Sequence, residues 1–377
     1  MFILIVSRGY PNPTSPLRGI FELDQAKALQ KEGNKVMMLS LDLRSIRRKR
    51  GWGKTVLFDD GVQIMNVSIP VGNVPAKLFV AIGKWIVGHI SGDILARFGK
   101  PDIIHAHFSD IAAIAFPLKK FFHVPLVITE HNSKLNQDVI DSKTNYYSKT
   151  AYRNADKIIS VSNALSKRLT QHFGANSIVI SNIVDLQTFN YCPDSLKESF
   201  TYISTGNLIH RKGFDCLIKA FSINNLPKSR LLIIGEGPKK KNLQKQIDTL
   251  NLSNQIILVG KKTRLEINEL FSKSDVFVLA SRSETFGVVY IEAMAAGLPV
   301  IATKCGGPEE FVDAQNGILI DLNDTKQLSD ALLEMKNNIH LYDREAIATS
   351  TRKNYSPEVI AGKLVKLYSE ILQSKNH

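Results

Sequence analysis

Short apolar runs recur along the whole chain, separated by longer stretches in which apolar positions return every three or four residues. In the first half the runs are FILIVS, KVMMLSL, DIIHAHF, PLVITEH, KIISVS and SIVISN; in the second they are TYISTG, RLLIIGEG, QIILVG, DVFVLAS and PVIAT. A run that is apolar at successive positions predicts a strand covered on both faces. Strands of that kind alternating with helices predict parallel sheets sandwiched between helices. Two such series predict two doubly wound α/β domains. The stretch 182–199 is polar and turn-rich and is the expected join. The final segment, SPEVIAGKLVKLYSEILQ, begins with a Ser-Pro-Glu helix start, and Val359, Ile360, Leu364, Leu367 and Ile371 share one face.

Ligands of open α/β sheets bind beyond the carboxyl ends of the strands, and two such domains place the expected site in a cleft between them. The residues to watch are those just after strands. After DVFVLAS comes the loop RSETFG and then a helix from about Gly287, VVYIEAMAAG, ended by Gly297 and Pro299. Free N–H groups at the start of such a helix attract anions, and Gly287 permits close approach. Glu284 lies just before the helix and Glu292 about one and a half turns inside it. A phosphate at the helix start would then have a carboxylate on each side. That arrangement suits a sugar diphosphate nucleoside, with one glutamate on the sugar hydroxyls and the other on the ribose. The plainer alternative makes Glu284 a helix cap and Glu292 a solvated side chain. A second loop, in STGNLIHRKGFDCLIKAF, carries Arg211 and Lys212 into a helix after Gly213. Two cations beyond a strand can neutralise a diphosphate; otherwise they form a solvated basic turn.

GNLIHRKGFD followed by SETFGVVYIEAMAAGLPVI resembles the retaining glycosyltransferases of family 4, which have the GT-B fold. SPLRGIFELDQAKAL, PDIIHAH, ITEH, ADKIISVSNAL, SNIVD and CGGPEEFVDAQNGILI agree in order, so the similarity covers almost the whole chain. The resemblance implies two Rossmann-like domains facing across a cleft. Residues 1–188 would bind the acceptor and 195–356 the nucleotide sugar, with 357–377 crossing back as a helix to the first domain. It assigns Glu284 to the donor sugar hydroxyls, Glu292 to the ribose and Lys212 to the diphosphate, helped by the amides of Phe286, Gly287 and Val288. His131, at the end of PLVITEH, matches the histidine beside the donor sugar. Gly19 lies in the loop that closes over phosphate and acceptor. Asn207 stands where the family usually has arginine, and Arg211 is the candidate replacement for that charge. SNIVD has Ile183 where glycine is usual, while Asn182 and Asp185 match.

The implied activity is transfer of a hexose-type sugar from a UDP- or GDP-sugar, with retention, to a glycan or lipid-linked acceptor in bacterial cell-surface polysaccharide synthesis. The nucleotide sugar is the co-substrate, and no cofactor or essential metal is implied. Two rivals are a GT-B sugar-nucleotide epimerase and a non-catalytic sugar-nucleotide-binding subunit. His105 and His107 alternate on one strand face, but without an evident third metal ligand they read as core or acceptor-side histidines. GEGP at 235–238 lacks the third glycine of a dinucleotide fingerprint, because position 240 is lysine.

Composition alters this picture in one respect. The net charge is +13, which first suggests nucleic acid, but the basic residues are spread along the chain and no recognition module is present; an anionic membrane surface or phosphorylated substrates explain the charge equally well, and no nucleic-acid partner is expected. LRSIRRKRGWGK at 43–54 is basic with one tryptophan, and KLFVAIGKWIVGHI is strongly apolar; together they suggest a cytosolic membrane face or a groove for a lipid-linked acceptor, the plainer alternative being a solvated loop and a core helix. No apolar run approaches the ~20 residues of a spanning helix, and the apolar start reads as a strand rather than a signal peptide. Cys192, Cys216 and Cys305 form no CxxC pair, which fits a reducing compartment. The expected location is the cytoplasm, with peripheral attachment to the cytoplasmic membrane face as an extension of the same reading.

Overall fold

The structure, a computed structural model, describes residues 1–12, 15, 17–45, 51–193, 199–224 and 226–375. It divides into two compact units, Met1–Ile183 with Pro357–His377, and Val184–Ser356. The first unit contains β1 (Phe2–Ser7), β2 (Lys35–Asp42), β3 (Gly53–Asp59), β4 (Val62–Ser68), β5 (Ile103–His107), β6 (Leu126–Glu130), β7 (Lys157–Ser160) and β8 (Ile178–Val179). They form one sheet in the order β3-β4-β2-β1-β5-β6-β7-β8, parallel except for the β3–β4 pair. The second unit has β9 (Phe200–Thr205), β10 (Ser229–Ile234), β11 (Ile256–Gly260), β12 (Val276–Leu279), β13 (Val300–Thr303) and β14 (Gly317–Ile320), a sheet ordered β11-β10-β9-β12-β13-β14 whose pairs are all parallel.

Each sheet reverses its winding direction once, between β1 and β5 in the first unit and between β9 and β12 in the second. At such a reversal the loops leaving adjacent strands turn to opposite faces and open a crevice at the carboxyl ends. The loops after β1 and β5 and the loops after β9 and β12 therefore occupy the ligand-binding positions of their units.

The apolar runs became strands because both of their faces are covered: all six residues of β1 and all five of β5 and β6 are buried. In the first unit the helices α1 (Ile20–Lys31), α2 (Ala76–Phe98) and α3 (Ser109–Phe122) flank the sheet. α1 packs beside the C-terminal helix Pro357–Gln373, whose Ile360, Leu364, Leu367 and Ile371 are buried with Leu23 and Leu29 in one cluster. Val359 is only partly buried.

The β3–β4 hairpin is absent from the apolar-run reading. Its turn has positive φ at both Asp60 (48°) and Gly61 (85°), the pattern of a type I′ turn. β3 is an exposed edge strand, so it lacks the two-sided apolar signal. The reading that no apolar stretch is long enough to span a bilayer needs correction. α2 has 23 residues and is long and apolar enough by length and composition. Lys84, His89, Ser91 and Asp93 interrupt the run in sequence, yet the helix remains apolar on average. The basic residues Arg47, Arg48, Lys49 and Arg50 lie outside the described residues. Within the same run, Arg44 pairs with Asp42, Lys54 pairs with Asp93, and Trp52 is exposed.

Candidate functional site

In the second unit the loops after β9 and β12 bring Glu284, Lys212 and Arg211 together. Lys212 Nζ donates to Glu284 Oε1 at 2.5 Å, and Ser281 Oγ donates to the same oxygen at 2.7 Å. Arg211 Nη1 donates to Glu284 Oε2 at 3.2 Å and to the Ser283 carbonyl at 2.7 Å. Lys212 and Glu284 are both buried. Burial works to raise the Glu284 pKa, but the charges of Lys212 and Arg211 with the bonds from Lys212 and Ser281 outweigh it and hold the carboxyl below its ordinary value. Glu284 is therefore an ionised, buried carboxylate. It does not cap the following helix, Val288–Ala295, whose N-cap is Gly287 with no side-chain hydrogen bond. Nor is the basic loop simply solvated, because Lys212 is buried against that carboxylate.

Two glycines make this packing possible. Gly213 follows Lys212 with φ +64°, and a Cβ there would sit 1.8 Å from the Ala280 carbonyl oxygen at the end of β12. Gly287 has φ +96°, which a side chain would strain, and a Cβ would press on the Tyr290 ring at 2.8 Å. A further tie comes from Arg282, which forks onto Asp215 with two bonds of 2.8 Å and donates to the His210 carbonyl, while its own N–H donates to the Arg211 carbonyl. The two loops are thereby locked to each other around Glu284.

The helix Val288–Ala295 has Gly287 as its N-cap, so the amides of Gly287 and Val288 are among those a helix start leaves without an intrahelical partner, and Phe286 immediately precedes the cap. Phe286 is itself buried, stacked edge-on with Phe311 and Tyr355. Glu292 is also buried, so it is not a solvated side chain. Its Oε1 lies 3.4 Å from Arg264 Nη2, and Arg264 Nη1 lies 3.6 Å from Asp185 Oδ2. Sequence reasoning missed Arg264. The signal was available, since it follows the strand QIILVG in a loop-to-helix position. Asn207, the departure from the family pattern, is exposed, while the neighbouring Leu208 amide donates to the Glu236 carbonyl.

The first unit holds a second constellation, around His131. His105, His107 and His131 lie in a stack, with ring centroids 4.5 Å apart for the first pair and 5.3 Å for the second. His105 Nδ1 meets the Tyr368 hydroxyl at 2.6 Å, and its Nε2 meets Thr129 Oγ1 at 2.7 Å. Gln25 Nε2, an amide donor, lies 3.2 Å from His105 Nδ1 and 3.4 Å from His107 Nε2. His107 Nδ1 in turn lies 3.0 Å from His131 Nε2, so the three rings and the Gln25 amide form one hydrogen-bonded chain. Asn182 also hydrogen-bonds His131. Burial first, then neighbouring positive charge, pushes His105 and His131 down to about 3, so all three rings are neutral near pH 7. Gly19 begins α1 with φ +71°, and a Cβ there would lie 2.0 Å from the Gly9 carbonyl oxygen. Among the described residues no group of three or more His, Cys, Asp or Glu is placed to hold a metal ion.

Residues 22–188 match the pattern of glycosyltransferase family 4, and residues 193–353 match that of the glycosyl transferases group 1. An uncharacterized glycosyltransferase of Methanocaldococcus jannaschii is 31% identical over 310 residues, which is 81% of this chain and 86% of that protein. The alpha-monoglucosyldiacylglycerol synthase of Acholeplasma laidlawii is 28% identical over 316 residues, 74% of this chain and 77% of its own. Among solved structures, sucrose-phosphate synthase from Thermosynechococcus elongatus superposes with a TM-score of 0.82 at 19% identity, covering 99% of this chain and 100% of that one. Anabaena HepE, solved in complex with UDP, has a TM-score of 0.74 at 19% identity, covering 98% and 99%.

Proposed function

This chain belongs to glycosyltransferase family 4 and has the GT-B fold, and from that premise we propose that it is a retaining hexosyltransferase using a UDP- or GDP-sugar. The observation that carries the reading is the buried Glu284, ionised and held by Lys212, Arg211 and Ser281 immediately before the helix that contains Glu292. In this reading the diphosphate lies at the start of that helix, against the amides of Phe286, Gly287 and Val288. Lys212 and Arg211 turn from Glu284 to the phosphates, and Arg211 supplies the charge absent at Asn207. Glu284 then accepts from the donor sugar hydroxyls, and Glu292, oriented by Arg264, accepts from the ribose.

The bond between the anomeric carbon and the diphosphate oxygen breaks while a bond from an acceptor hydroxyl forms on the same face. The acceptor proton passes to the departing phosphate oxygen, so no dedicated base is required. The two cations offset the charge that develops on the leaving group. From the first unit the reading enlists His131 as a neutral partner of the donor sugar and Gly19 as the phosphate-side loop glycine. The acceptor is a glycan or a lipid-linked sugar. A related chain is named for making a glucosyldiacylglycerol, which supports the lipid option. Surface-polysaccharide synthesis in the cytoplasm, with the enzyme working at the inner membrane face, is the setting this acceptor class implies.

The test is incubation of purified protein with UDP- and GDP-sugars, with and without a glycolipid extract. Transfer or slow donor hydrolysis supports the reading. Binding with neither reaction would make the chain a sugar-nucleotide-binding subunit, and interconversion of donor sugars without acceptor would make it an epimerase.

A further inference from the structure

We propose that α2, with the edge of α3 beside it, lies in the headgroup region of an anionic lipid bilayer and holds this protein to a membrane surface. The proposal concerns one face of the first unit and stands independently of the donor reading.

Within the most apolar window of α2 only 33% of the residues are buried, so α3 and the core cluster beneath cover one side and leave the other open. The covered side is ordinary core, with Val80, Ile86, Val87 and Ile94 buried. The open side is not an ordinary solvated face. Leu78, Ala81, Trp85, Gly88, Gly92 and Leu95 recur at helical spacing and are all exposed, with the exposed Lys77, His89 and Arg97 beside them and the His89 ring against Trp85. Trp85 is 64% exposed at the centre of this stripe. An amphipathic helix normally turns charged residues outward; here an uncharged stripe about five turns long faces out, with tryptophan in its middle. A tryptophan with its apolar body and one N–H suits the boundary between headgroups and acyl chains.

The rim supplies the charge that selects the occupant. Lys77, Lys84 and Lys100 flank the stripe, and the one acid on α2, Asp93, is paired with both Lys54 and Arg97. Between α2 and α3 runs a groove of about 560 Å³ lined by Lys84, Ser91, Phe116, Lys120 and Phe121. The ammonium groups of Lys84 and Lys120 reach over the same Phe116 ring, at 5.8 and 5.0 Å from its centroid. Neither makes an ion pair among the described residues. Two unpaired cations over one aromatic ring, next to an exposed Phe121, form a seat for a phosphate attached to something apolar. A second copy of this chain would bring the same positive rim and be repelled, whereas an anionic bilayer matches both the stripe and the charge.

The experiment uses full-length protein carrying Trp52→Phe, which leaves Trp85 as the single tryptophan, since the chain has two. It is mixed with vesicles of phosphatidylcholine alone or with a minority of phosphatidylglycerol. The expected result is a blue shift of Trp85 emission and co-sedimentation with the phosphatidylglycerol vesicles, weak or absent with phosphatidylcholine alone. Lys84→Gln with Lys120→Gln should lower partitioning about 25-fold, at about fivefold per lysine. Leu78→Gln with Leu95→Gln should remove the blue shift while an electrostatic fraction still sediments at low salt. These side chains are at the surface, so far-ultraviolet dichroism unchanged from wild type confirms that the variants fold. No blue shift with phosphatidylglycerol vesicles overturns the proposal, as does equal binding by the lysine variant. A blue shift that grows with protein concentration in the absence of vesicles also overturns it and makes a second copy the occupant.

Discussion

Lys212 Nζ and Glu284 Oε1 stand 2.5 Å apart across two loops separated by 72 positions in sequence, with their side chains only 10% and 7% exposed. A buried ion pair of this kind adds little net stability, because desolvation of both ions offsets their attraction, but removing one partner strands the other charge. The pair holds a carboxylate and an ammonium ready, dehydrated and fixed, where a charged ligand would exchange partners with them.

Glu284→Ala should reduce turnover by on the order of 10²-fold or more while changing nucleotide affinity much less, since its proposed contact is with the sugar in the transition state. Single-turnover kinetics at saturating donor measures this. A near wild-type rate would remove Glu284 from the reaction and leave it as the anchor of the basic loop.

Lys212→Met should weaken a nucleoside diphosphate by roughly 1.5–3 kcal/mol and the matching nucleoside hardly at all, the loss expected for one charged hydrogen bond. Arg211→Met should show the same selectivity if Arg211 replaces the charge missing at Asn207. Calorimetry with both ligands distinguishes the two cations. Unchanged diphosphate affinity in Arg211→Met would mean that Asn207 marks a site with one cation fewer.

Glu292→Ala should weaken donor sugar and bare nucleotide alike, by roughly 1.5–3 kcal/mol, with turnover at saturation preserved. Arg264→Met should move both affinities in the same direction, because Arg264 Nη2 lies 3.4 Å from that carboxylate and orients it. Titration of each variant with the bare nucleotide decides the matter; a wild-type affinity in Glu292→Ala would leave the residue with a packing role.

Acid should loosen the two units at different pH. His105 and His131 are held neutral down to about 3 in the folded first unit, whereas unfolded histidine takes a proton near 6.5. The unfolded state therefore binds more protons as pH falls below about 6.5, and that unit loses stability from there downward. Buried Glu22 and Glu130 are raised and oppose part of this loss. Glu284 in the second unit has a lowered pKa, so its contribution is intact above about 4.5 and is lost only as pH falls further. Hydrogen exchange at pH 7, 6 and 5 should show amides of β5 and β6 losing protection before those of β9 and β12, and His105→Gln should flatten the dependence. Equal loss in both units would contradict this ordering.

The sequence showed the two sheets clearly because most strands are covered on both faces, and continuous burial writes continuous apolar runs, as in β1 and β12. The β3–β4 hairpin escaped because β3 is solvated at the sheet edge, although Asp60-Gly61 was a readable turn signal. The partnership of Lys212 with Glu284 was beyond spacing arguments, which could place each beside a strand end but not against the other. Arg264 stands at a helix start after the strand QIILVG, a legible position, but its pairing with Glu292 joins residues 28 positions apart. The contacts that join Gln25, His107 and His131 depend on ring orientations that alternation along a strand cannot supply.

The most direct test of the donor site is a thermal-shift titration of the purified chain with UDP, GDP and their hexose derivatives, repeated on Lys212→Met. One nucleotide family should raise the melting temperature in a saturable way, by an amount reflecting about 2.7 kcal/mol when the ligand stands at 100 times its Kd. The shift should collapse in the variant while the matching nucleoside behaves alike in both proteins. If neither UDP, GDP nor any of their sugars shifts the wild-type transition, or if Lys212→Met responds as wild type does, the Glu284–Lys212 constellation is not the diphosphate-sugar site.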